Sequence, residues 1–435
     1  MVNYFDDYAV DFQVKKRNAS KKAMDYIKGL VQSTHSNMEK MAESVPGAEY
    51  QALQQFLSDS PWSHQAVMNR VATDVNAILN GAQCALLLDE TSIPKKGKKS
   101  VGVSRQWCGR LGKVDNCQVG VFAALAKNDD VSLIDAELFL PKSWVADDER
   151  CKVARIPEEK CVTRTKIDIA LDLVKRAKAN GLDYGWVSAD SFYGRDKNFL
   201  YGLDALGETF VMDVPMDFAV YLKPPNPALP PKPTTGRSPS RYQSQAKFTT
   251  VKRWLTSIPE HAWKKQVFRE GSKGSMTAEV LHERVWIWDG KSGCAHCWHM
   301  IARREVGDRT MIKVSVSNAP ARTSKKQLVM MQGQRHFIER SFQDGKSQLG
   351  LDQYQARNWN AWHHHMALIM MAMLYLVDQK ITRKQHMPLY TVADVVYLLI
   401  HVLPGKVRSP QDAERVIEER HKRRRQAMES HANTG

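Results

Sequence analysis

The chain has 435 residues, and its 63 Lys and Arg residues exceed its 47 Asp and Glu residues, which gives a formal net charge of +16 at pH 7. The length allows about two to four domains, and a hydrophobic fraction of 43% is ordinary for a soluble protein with buried cores. Seven cysteines in so long a chain exclude a dense disulfide framework, and the excess of positive charge favours a polyanionic partner such as nucleic acid. A basic surface that serves only solubility is the alternative.

The sequence predicts no membrane segment. Its first residues lack the basic and then apolar layout of a signal peptide. The longest apolar run, residues 366–377, is shorter than the ~20 residues that a helix needs to cross a bilayer. We therefore expect a cytoplasmic protein in a reducing compartment that does not contact a membrane.

Residues 1–80 are predicted to be helical. Apolar residues recur at helical spacing between residues 50 and 57 and again between residues 67 and 79. The intervening stretch 58–61, Ser-Asp-Ser-Pro, is typical of a helix end followed by a newly capped helix. This pattern favours a small helical bundle over a DNA-binding helix pair. Contact of that bundle with the DNA backbone is the expectation that makes this segment an N-terminal DNA-binding region.

From residue 84 onward the pattern changes to short apolar runs that are typical of buried strands. CALLLD ends at Asp89, and YGWVSAD ends at Asp190. VGVSRQW and NCQVGVFAALA are predicted as two further strands joined through the turn at 109–112, and TFVMDV as a later one. A helix is predicted over 163–178 from its apolar spacing. The alternation of strands and helices predicts an α/β fold.

The second half of the chain begins with a loop that is rich in proline. Residues 223–240 contain too many prolines for a helix or a central strand, so an exposed extended loop is predicted. Residues 248–302 are predicted to be β-rich, from the stretches VKRW, AEVLHERVWIW and CWHMIARR. Helical patterns return at 335–349, 357–377 and 391–402, and the tail RVIEERHKRRRQ is predicted as a basic helix or a disordered basic arm.

Asp89 and Asp190 each end a predicted strand of the α/β block. Ligands collect at the carboxyl ends of such strands, so the two side chains converge if the strands are neighbours. Two close carboxylates repel each other unless a cation lies between them, and Mg²⁺ is the natural cation because it prefers carboxylate oxygens, water and phosphate. The alternative is that each aspartate is a turn or helix cap.

A third acid, Glu339, lies in a predicted helix between Arg335 and Lys346. On a helix these three side chains fall within a turn or two of one another. Glu339 would complete a metal site with the two aspartates, while Arg335 and Lys346 would hold phosphates on either side. A surface helix with intrahelical ion pairs is the alternative.

Four lysines follow the first aspartate within a short interval, and they are Lys95, Lys96, Lys98 and Lys99. We expect them to face the phosphate backbone of DNA, because lysine–phosphate contacts release counterions and make binding depend on salt. A solvated turn is the alternative.

Several stretches of the chain resemble the DDE transposases of bacterial insertion sequences, and most of all the insertion sequence 701 family within the insertion sequence 4 superfamily. They are FLSDSPW (56–62), LLLDETSIPKKGKKSVGVSRQWCGRLGKVDNCQVGVF (86–122), VSADSFYG (187–194) and IERSFQDGKSQLGLDQYQARNWNAWHHHM (338–366). The order of predicted elements also fits the family. The resemblance implies an RNase H-like catalytic core with a β-rich insertion domain and helical N- and C-terminal regions.

The resemblance also assigns roles to individual residues. It implies that Asp89, Asp190 and Glu339 are the catalytic triad and the ligands of two Mg²⁺ ions, with Mn²⁺ as a substitute. Arg335 and Lys346 match the superfamily signature around the glutamate. Gln332 stands where that signature has a tyrosine, which puts in doubt any contact made through a tyrosine ring there.

The slot of the family's β-rich insertion domain holds five tryptophans, which are Trp254, Trp263, Trp286, Trp288 and Trp298. A tryptophan in such a domain can stack on a base flipped out of the duplex, and packing in the domain's core is the alternative. The predicted DNA-binding residues are Arg335, Lys346, Lys95, Lys96, Lys98, Lys99, Arg105 and Trp298.

The predicted layout follows from these assignments. Its parts are a helical N-terminal DNA-binding region (1–80), the first part of the core (81–215), the insertion domain (216–320), the glutamate-bearing helices of the core (321–380) and a helical basic C-terminal region (381–435).

The resemblance implies a transposase that cuts DNA at the ends of its insertion sequence and joins the 3′-OH ends to target DNA by two-metal phosphoryl transfer. The expected partner is double-stranded DNA at the element ends and the target site, bound by a homodimer. No Walker-type loop is present, so ATP is not expected. The alternatives are a metal-dependent nuclease without strand transfer and a domesticated transposase that regulates through DNA binding without catalysis.

Overall fold

The computed structural model describes residues 1, 3–271, 274–307, 310–407 and 409–432. Within them the α-helices are α1 (Ser20–Gln32), α2 (Met38–Ser44), α3 (Tyr50–Ser58), α4 (His64–Ile78), α5 (Lys142–Val145), α6 (Asp148–Val153), α7 (Lys166–Ala179), α8 (Ser191–Gly194), α9 (Lys197–Ala205), α10 (Val251–Ser257), α11 (Lys325–Gln334), α12 (His336–Leu349), α13 (Trp359–Lys384), α14 (Val392–Val402) and α15 (Pro410–Ala432). Short 3₁₀ helices occupy Asn3–Phe12, Glu158–Lys160 and Glu260–Ala262.

The strands of the described residues are β1 (Gln13–Val14), β2 (Arg17–Asn18), β3 (Gly81–Pro94), β4 (Ser104–Cys108), β5 (Lys113–Lys127), β6 (Asp130–Leu138), β7 (Tyr184–Ala189), β8 (Phe210–Asp213), β9 (Ala219–Val220), β10 (Thr249–Thr250), β11 (Lys264–Gly271), β12 (Gly274–Ile287), β13 (His296–Glu305) and β14 (Ile312–Ser317). The predicted mixture of helices and strands is therefore confirmed.

One ten-stranded mixed sheet forms the centre of the fold, in the order β11-β12-β13-β14-β8-β7-β3-β5-β4, with β6 also paired to β5. Strands β3, β7 and β8 are parallel neighbours, whereas β5 runs antiparallel to β3 and β6 antiparallel to β5. Because the three strands are parallel, Asp190 just after β7 and Asp213 at the end of β8 lie at one edge of the sheet, level with Asp89 within β3. This edge carries the candidate active site.

The strands predicted for the insertion domain are present but continue the central sheet. Strand β14 pairs antiparallel with β8, with Ser315 opposite Asp213, and β13, β12 and β11 follow in turn. The sheet hydrogen bonds therefore run from the inserted segment directly to the strand end beside the candidate site.

Two local predictions differ from the structure. VKRW was expected to be β-rich but lies in helix α10, because the Thr250 side chain caps that helix at the Arg253 amide and Val251 and Trp254 bury the same side of it. VGVSRQW was expected to be a full strand, but only the short strand β4 forms there. The third strand of the antiparallel group is instead β6, which the sequence analysis had not identified.

Helix α13 attaches the N-terminal helices to the sheet, and its consecutive histidines are part of that contact. The two ring nitrogens of His364 lie 2.8 Å and 3.0 Å from the carbonyl oxygens of Leu57 and Trp62. The next side chain, His365, lies 2.8 Å from the hydroxyl of Tyr26 in α1. Burial lowers the pKa of both histidines, to about 4 and about 3, so they are neutral at physiological pH. The expected helices over 50–57 and 67–79 are confirmed as α3 and α4.

A membrane-crossing helix would need a longer uninterrupted apolar surface than any described helix presents.

Replacing Arg176 with Gln is expected to lower the free energy of unfolding by about 3–5 kcal/mol, because two buried carboxylates lose their main partner. Arg176 of α7 lies 2.7 Å from Asp135 and 2.8 Å from Glu137, both buried on β6. Burial alone would raise the pKa of Glu137, but Arg176 and its neighbours lower it to about 2. Urea denaturation at pH 7 measures the loss.

A matched control for this change is Lys175→Gln, the adjacent residue, whose exposed ammonium pairs with the exposed Asp172. We expect this control to lose at most about 0.5 kcal/mol. Equal losses for both variants would contradict a special role for the buried pair. Because the pKa of Glu137 is lowered, the stability it contributes is present above about pH 4.5 and is lost as the pH falls towards 2.

Candidate active site

The two predicted aspartates lie side by side on neighbouring parallel strands. The strand predicted to end at Asp89 continues to Pro94, so Asp89 lies within β3. Asp89 is on β3, and its Oδ1 accepts a hydrogen bond from the backbone amide of Glu90 at 2.8 Å. Asp190 directly follows β7, and its Oδ1 accepts from the amide of Phe192 at 2.9 Å, so it also caps the short helix α8. Asp190 is therefore a helix cap, as the alternative interpretation expected. Its carboxyl nevertheless lies close enough to Asp89 on β3 to raise the pKa of that residue.

The acidity of both aspartates shows that they share one environment. Burial, together with the nearby Asp190 carboxylate, raises the pKa of Asp89 to about 8. Burial and the charge of Glu90 raise the pKa of Asp190. Carboxyl groups that repel each other at a partly buried sheet edge are favourable positions for a cation.

The guanidinium of Arg335 supplies the positive charge at this edge. Its Nη2 lies 2.8 Å from Oε1 of Glu339, and its Nε lies 3.2 Å from Oδ2 of Asp213. Its Nη1 lies 3.8 Å from Oδ2 of Asp89. Burial alone would lower the pKa of Arg335, but the surrounding carboxylates, led by Asp213, raise it. Arg335 therefore joins the glutamate-bearing helix α12 to β3 and to the end of β8.

The third predicted acid is close to the first two but does not complete a metal site with them. Glu339 and Asp89 contact the same guanidinium, and the Asp190 carboxyl lies near Asp89. Among the described residues, however, no group of three His, Cys, Asp or Glu side chains converges closely enough to hold a metal ion. The Glu339 carboxylate is half-exposed and pairs with Arg335 and, at 3.7 Å, with His336. It would have to leave the guanidinium to share a cation with the aspartates.

Carboxylate oxygens are the ligands that Mg²⁺ prefers, so the donor set fits that ion in kind. The raised pKa values of Asp89 and Asp190 also fit, because a bound cation would favour the ionised form of both.

Lys346 lies on the same side of the sheet as these acids. Its ammonium donates a hydrogen bond to the hydroxyl of Thr91 at 2.6 Å, two residues beyond Asp89 on β3. Burial lowers its pKa, and the nearby Asp89 carboxylate opposes that effect. The predicted proximity of Lys346 to the first aspartate is therefore present in the structure.

A second acid on β3, Glu90, directly follows the first aspartate and was not among the predicted site residues. Its carboxylate accepts a hydrogen bond from the hydroxyl of Tyr193 at 2.7 Å and forms an ion pair with the ammonium of Lys166 at 2.9 Å. Glu90 thus ties the segment after Asp190 to the strand that carries Asp89. Its position directly after the first aspartate was the only signal available in the sequence.

Asp213 was also missed, although TFVMDV is a third short apolar run that ends in a carboxylate, like the runs that end at Asp89 and Asp190. Asp213 accepts a hydrogen bond from the hydroxyl of Ser315 at 2.5 Å, and that hydroxyl accepts one from the side-chain amide of Gln332 at 2.8 Å. Gln332, which stands where the family signature has a tyrosine, is buried behind the Asp213–Arg335 pair.

The predicted DNA-contacting residues fall into two groups. Lys96, Lys98, Lys99 and Arg105 are exposed. Lys95 instead turns inward, where its ammonium donates to the carbonyl of Tyr354 at 2.7 Å and lies 3.9 Å from the centre of that ring. Burial lowers its pKa to about 8. Lys95 therefore supports the loop from within, which differs from the expected phosphate contact.

Trp298 requires a correction. Its side chain is only 4% exposed and packs edge-on against Phe210 and Tyr201 in the main core. A residue that completes the core cannot receive a base without unpacking it, so Trp298 is removed from the DNA-contacting set. The core alternative considered for the five tryptophans of the inserted segment applies here.

Removing the charge of Asp89 is expected to stabilise the metal-free fold, and more at pH 9 than at pH 6. The pKa of Asp89 is raised to about 8 in the folded protein. Its protonation therefore contributes fully to the free energy of unfolding below about pH 4, and this contribution is lost as the pH rises through 8. Each pKa unit is worth about 1.4 kcal/mol, which sets an upper bound of about 6 kcal/mol. We expect Asp89→Asn to gain roughly half of that at pH 9 because the side chain can relax towards solvent.

This gain can be measured by chemical denaturation in EDTA at the two pH values. Asp217→Asn, at an exposed position that pairs only with the exposed Arg195 among the described ion pairs, is a suitable control that should change little. A variant less stable than the wild type at pH 9 would contradict the raised pKa of Asp89.

The sequence profile described as DDE superfamily endonuclease matches residues 11–275. The chain belongs to this family. The matched region of the DDE superfamily endonuclease includes Asp89 and Asp190 and ends before Glu339.

A curated relative is the probable transposase for insertion sequence element IS701 of Microchaete diplosiphon. It is 30% identical to this DDE superfamily member over 193 residues, which are 43% of this chain and 46% of the relative. The match therefore spans just under half the length of the curated relative.

Among solved structures, a piggyBac transposase synaptic complex with hairpin DNA aligns with 94% of this chain and 83% of its own chain, at 10% sequence identity. The TM-score is 0.36, which is too low to establish a common fold.

Proposed function

We propose that this DDE superfamily endonuclease is a transposase that cuts DNA at the ends of its insertion sequence and joins the 3′-OH ends to target DNA. The observation that carries the proposal is the guanidinium of Arg335, which joins Glu339 to Asp89, with the carboxyl of Asp190 close enough to Asp89 to raise its pKa. The net charge of +16 supports double-stranded DNA as the partner.

We further propose that the catalytic part is an RNase H-like core. Its support is the strand order β6-β5-β3-β7-β8, in which the first three strands are antiparallel and the last two are parallel to β3. Asp89 lies within β3 and Asp190 directly after β7, and the helix α12 brings the glutamate to the same side of the sheet. The inserted segment 216–320 lies between β8 and that helix.

The three acids are the proposed ligands of two Mg²⁺ ions, with Mn²⁺ as a substitute. When bound, these ions supply Lewis-acid stabilisation of the phosphoryl charge and lower the pKa of the attacking hydroxyl or water. The side chains have separate tasks. Asp89 and Asp190 would hold the ions from fixed positions on β3 and directly after β7, and Glu339 would join them on giving up its ion pair with Arg335.

The basic residues of the site are proposed to position the phosphate. Released from Glu339, Arg335 retains Asp213 as its anchor and can present its outer nitrogens to a phosphate oxygen. Lys346, held by Thr91, places a second positive charge close to Asp89. Fixed positive charges around the scissile phosphate favour the transition state because they need no reorganisation during the reaction.

The test is incubation of the purified protein with Mg²⁺ and DNA that carries the flanking genomic ends of the element, with products mapped to the nucleotide. We expect cleavage at the element ends that leaves 3′-OH termini, and joining of pre-cleaved ends to a plasmid target. Cleavage without joining would identify a nuclease and contradict the transposase. DNA binding without either reaction would favour the non-catalytic regulator.

Three further parts of the proposal follow from the reaction itself. Two element ends must be held together, so a homodimer on DNA is proposed. The substrate is chromosomal, so the protein is placed in the bacterial cytoplasm with the nucleoid. Phosphoryl transfer between DNA strands conserves the bond energy, so no ATP is required.

Replacing Lys96, Lys98 and Lys99 together with Ala is expected to make DNA binding less dependent on salt. These side chains are exposed, and within the described part of the chain no carboxylate lies within ion-pair distance of them. Each lost phosphate contact should reduce the slope of log K against log salt concentration by about 0.9, so the loss of three should reduce it by ~2–3. The slope is measured by fluorescence anisotropy of labelled DNA over a salt range on the order of 50 to 300 mM NaCl.

The control for this variant neutralises three lysines that already pair with acids, namely Lys21, Lys175 and Lys178. This control removes the same number of positive charges. The slope of log K against log salt concentration should stay close to that of the wild type. Equal slopes for the wild type and the Lys96, Lys98 and Lys99 variant would mean that this loop is a solvated turn.

A further inference from the structure

Trp107 is the most exposed tryptophan of the chain. Its side chain is 60% exposed, whereas the other ten tryptophans are buried or only partly exposed. An indole buries a large apolar area when it finds a partner, so leaving one in solvent loses the hydrophobic stabilisation that the other ten provide. An exposed tryptophan beside a candidate active site therefore indicates a contact with something outside the folded chain.

Trp107 lies on a two-stranded hairpin formed by β4 and the first residues of β5. Cross-strand neighbours lie on one face, so Arg105 opposite Asn116 and Trp107 opposite Val114 share a face. Val114 is 52% exposed, and Leu111 in the turn is 44% exposed. This face, here called the Trp107 face, is an apolar patch with an exposed arginine at its edge.

The hairpin is joined to the strand that carries the first catalytic acid. The hydroxyl of Ser92, three residues beyond Asp89, lies 3.3 Å from Sγ of Cys108 and 3.4 Å from the amide of Arg110. The Arg110 side chain forms an ion pair with Asp352, just past α12. The hairpin therefore leans against both β3 and the end of the glutamate-bearing helix.

The same face continues into the loop of exposed lysines. The side-chain amide of Asn116 donates to the carbonyl oxygens of Lys95 and Gly97, at 2.5 Å and 3.0 Å, and the Lys95 amide donates back to the Asn116 carbonyl at 2.9 Å. Because Asn116 is the cross-strand partner of Arg105, the exposed lysines of this loop and Arg105 border one surface. Trp107 is the aromatic centre of that basic surface.

We propose that Trp107, with Arg105 beside it, is a platform on which an unpaired base of the bound DNA stacks next to the active site. This inference rests on the proposed function for its partner, DNA. The cations at the border of the Trp107 face favour a polyanion and repel a second copy of a chain with a net charge of +16. The indole needs the flat face of a base, and inside a duplex that face is covered by the next base pair. Base stacking on an aromatic side chain tolerates any sequence, so it suits an enzyme that must act at variable flanking DNA.

The platform also explains why the tryptophans of the inserted segment are not needed for stacking. Trp254, Trp288 and Trp298 are between 3% and 6% exposed and complete the core. Trp263 is covered by the guanidinium of Arg304, 4.0 Å from its ring centre. Trp107 has no such cover and faces solvent from a hairpin that contacts the catalytic strand.

The experiment compares two DNA probes that differ only in an unpaired segment. One is a blunt fluorescein-labelled duplex, and the other is the same duplex with a short single-stranded overhang that carries 2-aminopurine. Binding is measured by anisotropy in EDTA, so neither metal nor cleavage is required. We expect Trp107→Ala to weaken binding of the overhang probe by about 5- to 100-fold and binding of the blunt duplex by about 2-fold or less.

Two further variants and one spectroscopic signal separate stacking from other effects. Trp107→Phe keeps an aromatic ring and should retain most of the preference for the overhang. Tyr397→Ala, which removes a 70% exposed aromatic ring on α14 outside the Trp107 face, should change neither probe. Wild-type protein should quench the 2-aminopurine fluorescence, and Trp107→Ala should not. Circular dichroism and the melting temperature of each variant establish that the hairpin variants are folded.

The opposite results overturn the platform. An equal loss for both probes would mean that Trp107 contacts the duplex backbone, and no loss for either would mean that it does not meet DNA. A change only in the oligomeric state, seen by light scattering, would identify a protein partner instead. Because the assay contains no metal, a chain that fails to cut DNA can still pass this test, and a chain that cuts DNA can fail it.

Discussion

Asp89→Asn is expected to lower the rate of cleavage at the element ends by at least about a thousandfold. Asparagine keeps the shape of the side chain but removes the charge that two metal ions would share. Metal stabilisation of the phosphoryl charge is worth several kcal/mol, and each 1.36 kcal/mol corresponds to a factor of ten. Single-turnover cleavage with Mg²⁺ measures the rate. DNA affinity measured in EDTA should stay within about twofold of the wild type, because the loss of one negative charge strengthens DNA binding only slightly.

Two comparisons sharpen this result. Glu339→Gln should be as inactive as Asp89→Asn, and the double variant should be no worse than either, because residues that act as a unit are not additive. Asp217→Asn, at an exposed position outside the site, should retain wild-type cleavage. If Asp89→Asn cleaves DNA with metal at a rate close to that of the wild type, the assignment of the active site is contradicted.

Arg335→Gln is expected to lower the free energy of unfolding of the metal-free protein by about 3 kcal/mol, because Asp213 loses its ionic partner and Asp89 loses the guanidinium 3.8 Å away. Cleavage should also fall by at least about a hundredfold, since a positioned charge on the phosphate is lost. Mg²⁺ should recover more stability in this variant than in the wild type, because the ion replaces a missing positive charge.

The matched control is Arg340→Gln, on the same helix, whose guanidinium is 48% exposed and pairs with Asp344 at 3.2 Å. It should lose at most about 1 kcal/mol and keep its cleavage activity. The free energies of unfolding of all three proteins are compared by chemical denaturation without Mg²⁺ and with a saturating concentration, on the order of 10 mM MgCl₂. Equal effects of Mg²⁺ on the stability of the wild type and of Arg335→Gln would show that the guanidinium does not stand in for a cation.

Local patterns in the sequence were enough to predict the elements that carry the candidate site. Short apolar runs that end in an aspartate predicted β3 and β7, although β3 continues past Asp89 to Pro94. The spacing of Arg335, Glu339 and Lys346 predicted a helix, and α12 begins one residue after the arginine. Such features depend on residues close together in the chain, so no knowledge of the fold was required.

Only the tertiary structure decided which side chains meet and which are exposed. The order of strands brought Asp213 beside Arg335, turned Lys95 onto Tyr354, buried Trp298 and left Trp107 in solvent. Neither the charge of a residue nor its neighbours in sequence distinguish a core tryptophan from an exposed one, because burial depends on how distant elements pack. The sequence by itself determined the chemical groups and the local elements of this site, whereas the pairing of distant strands and helices determined the partner of each group.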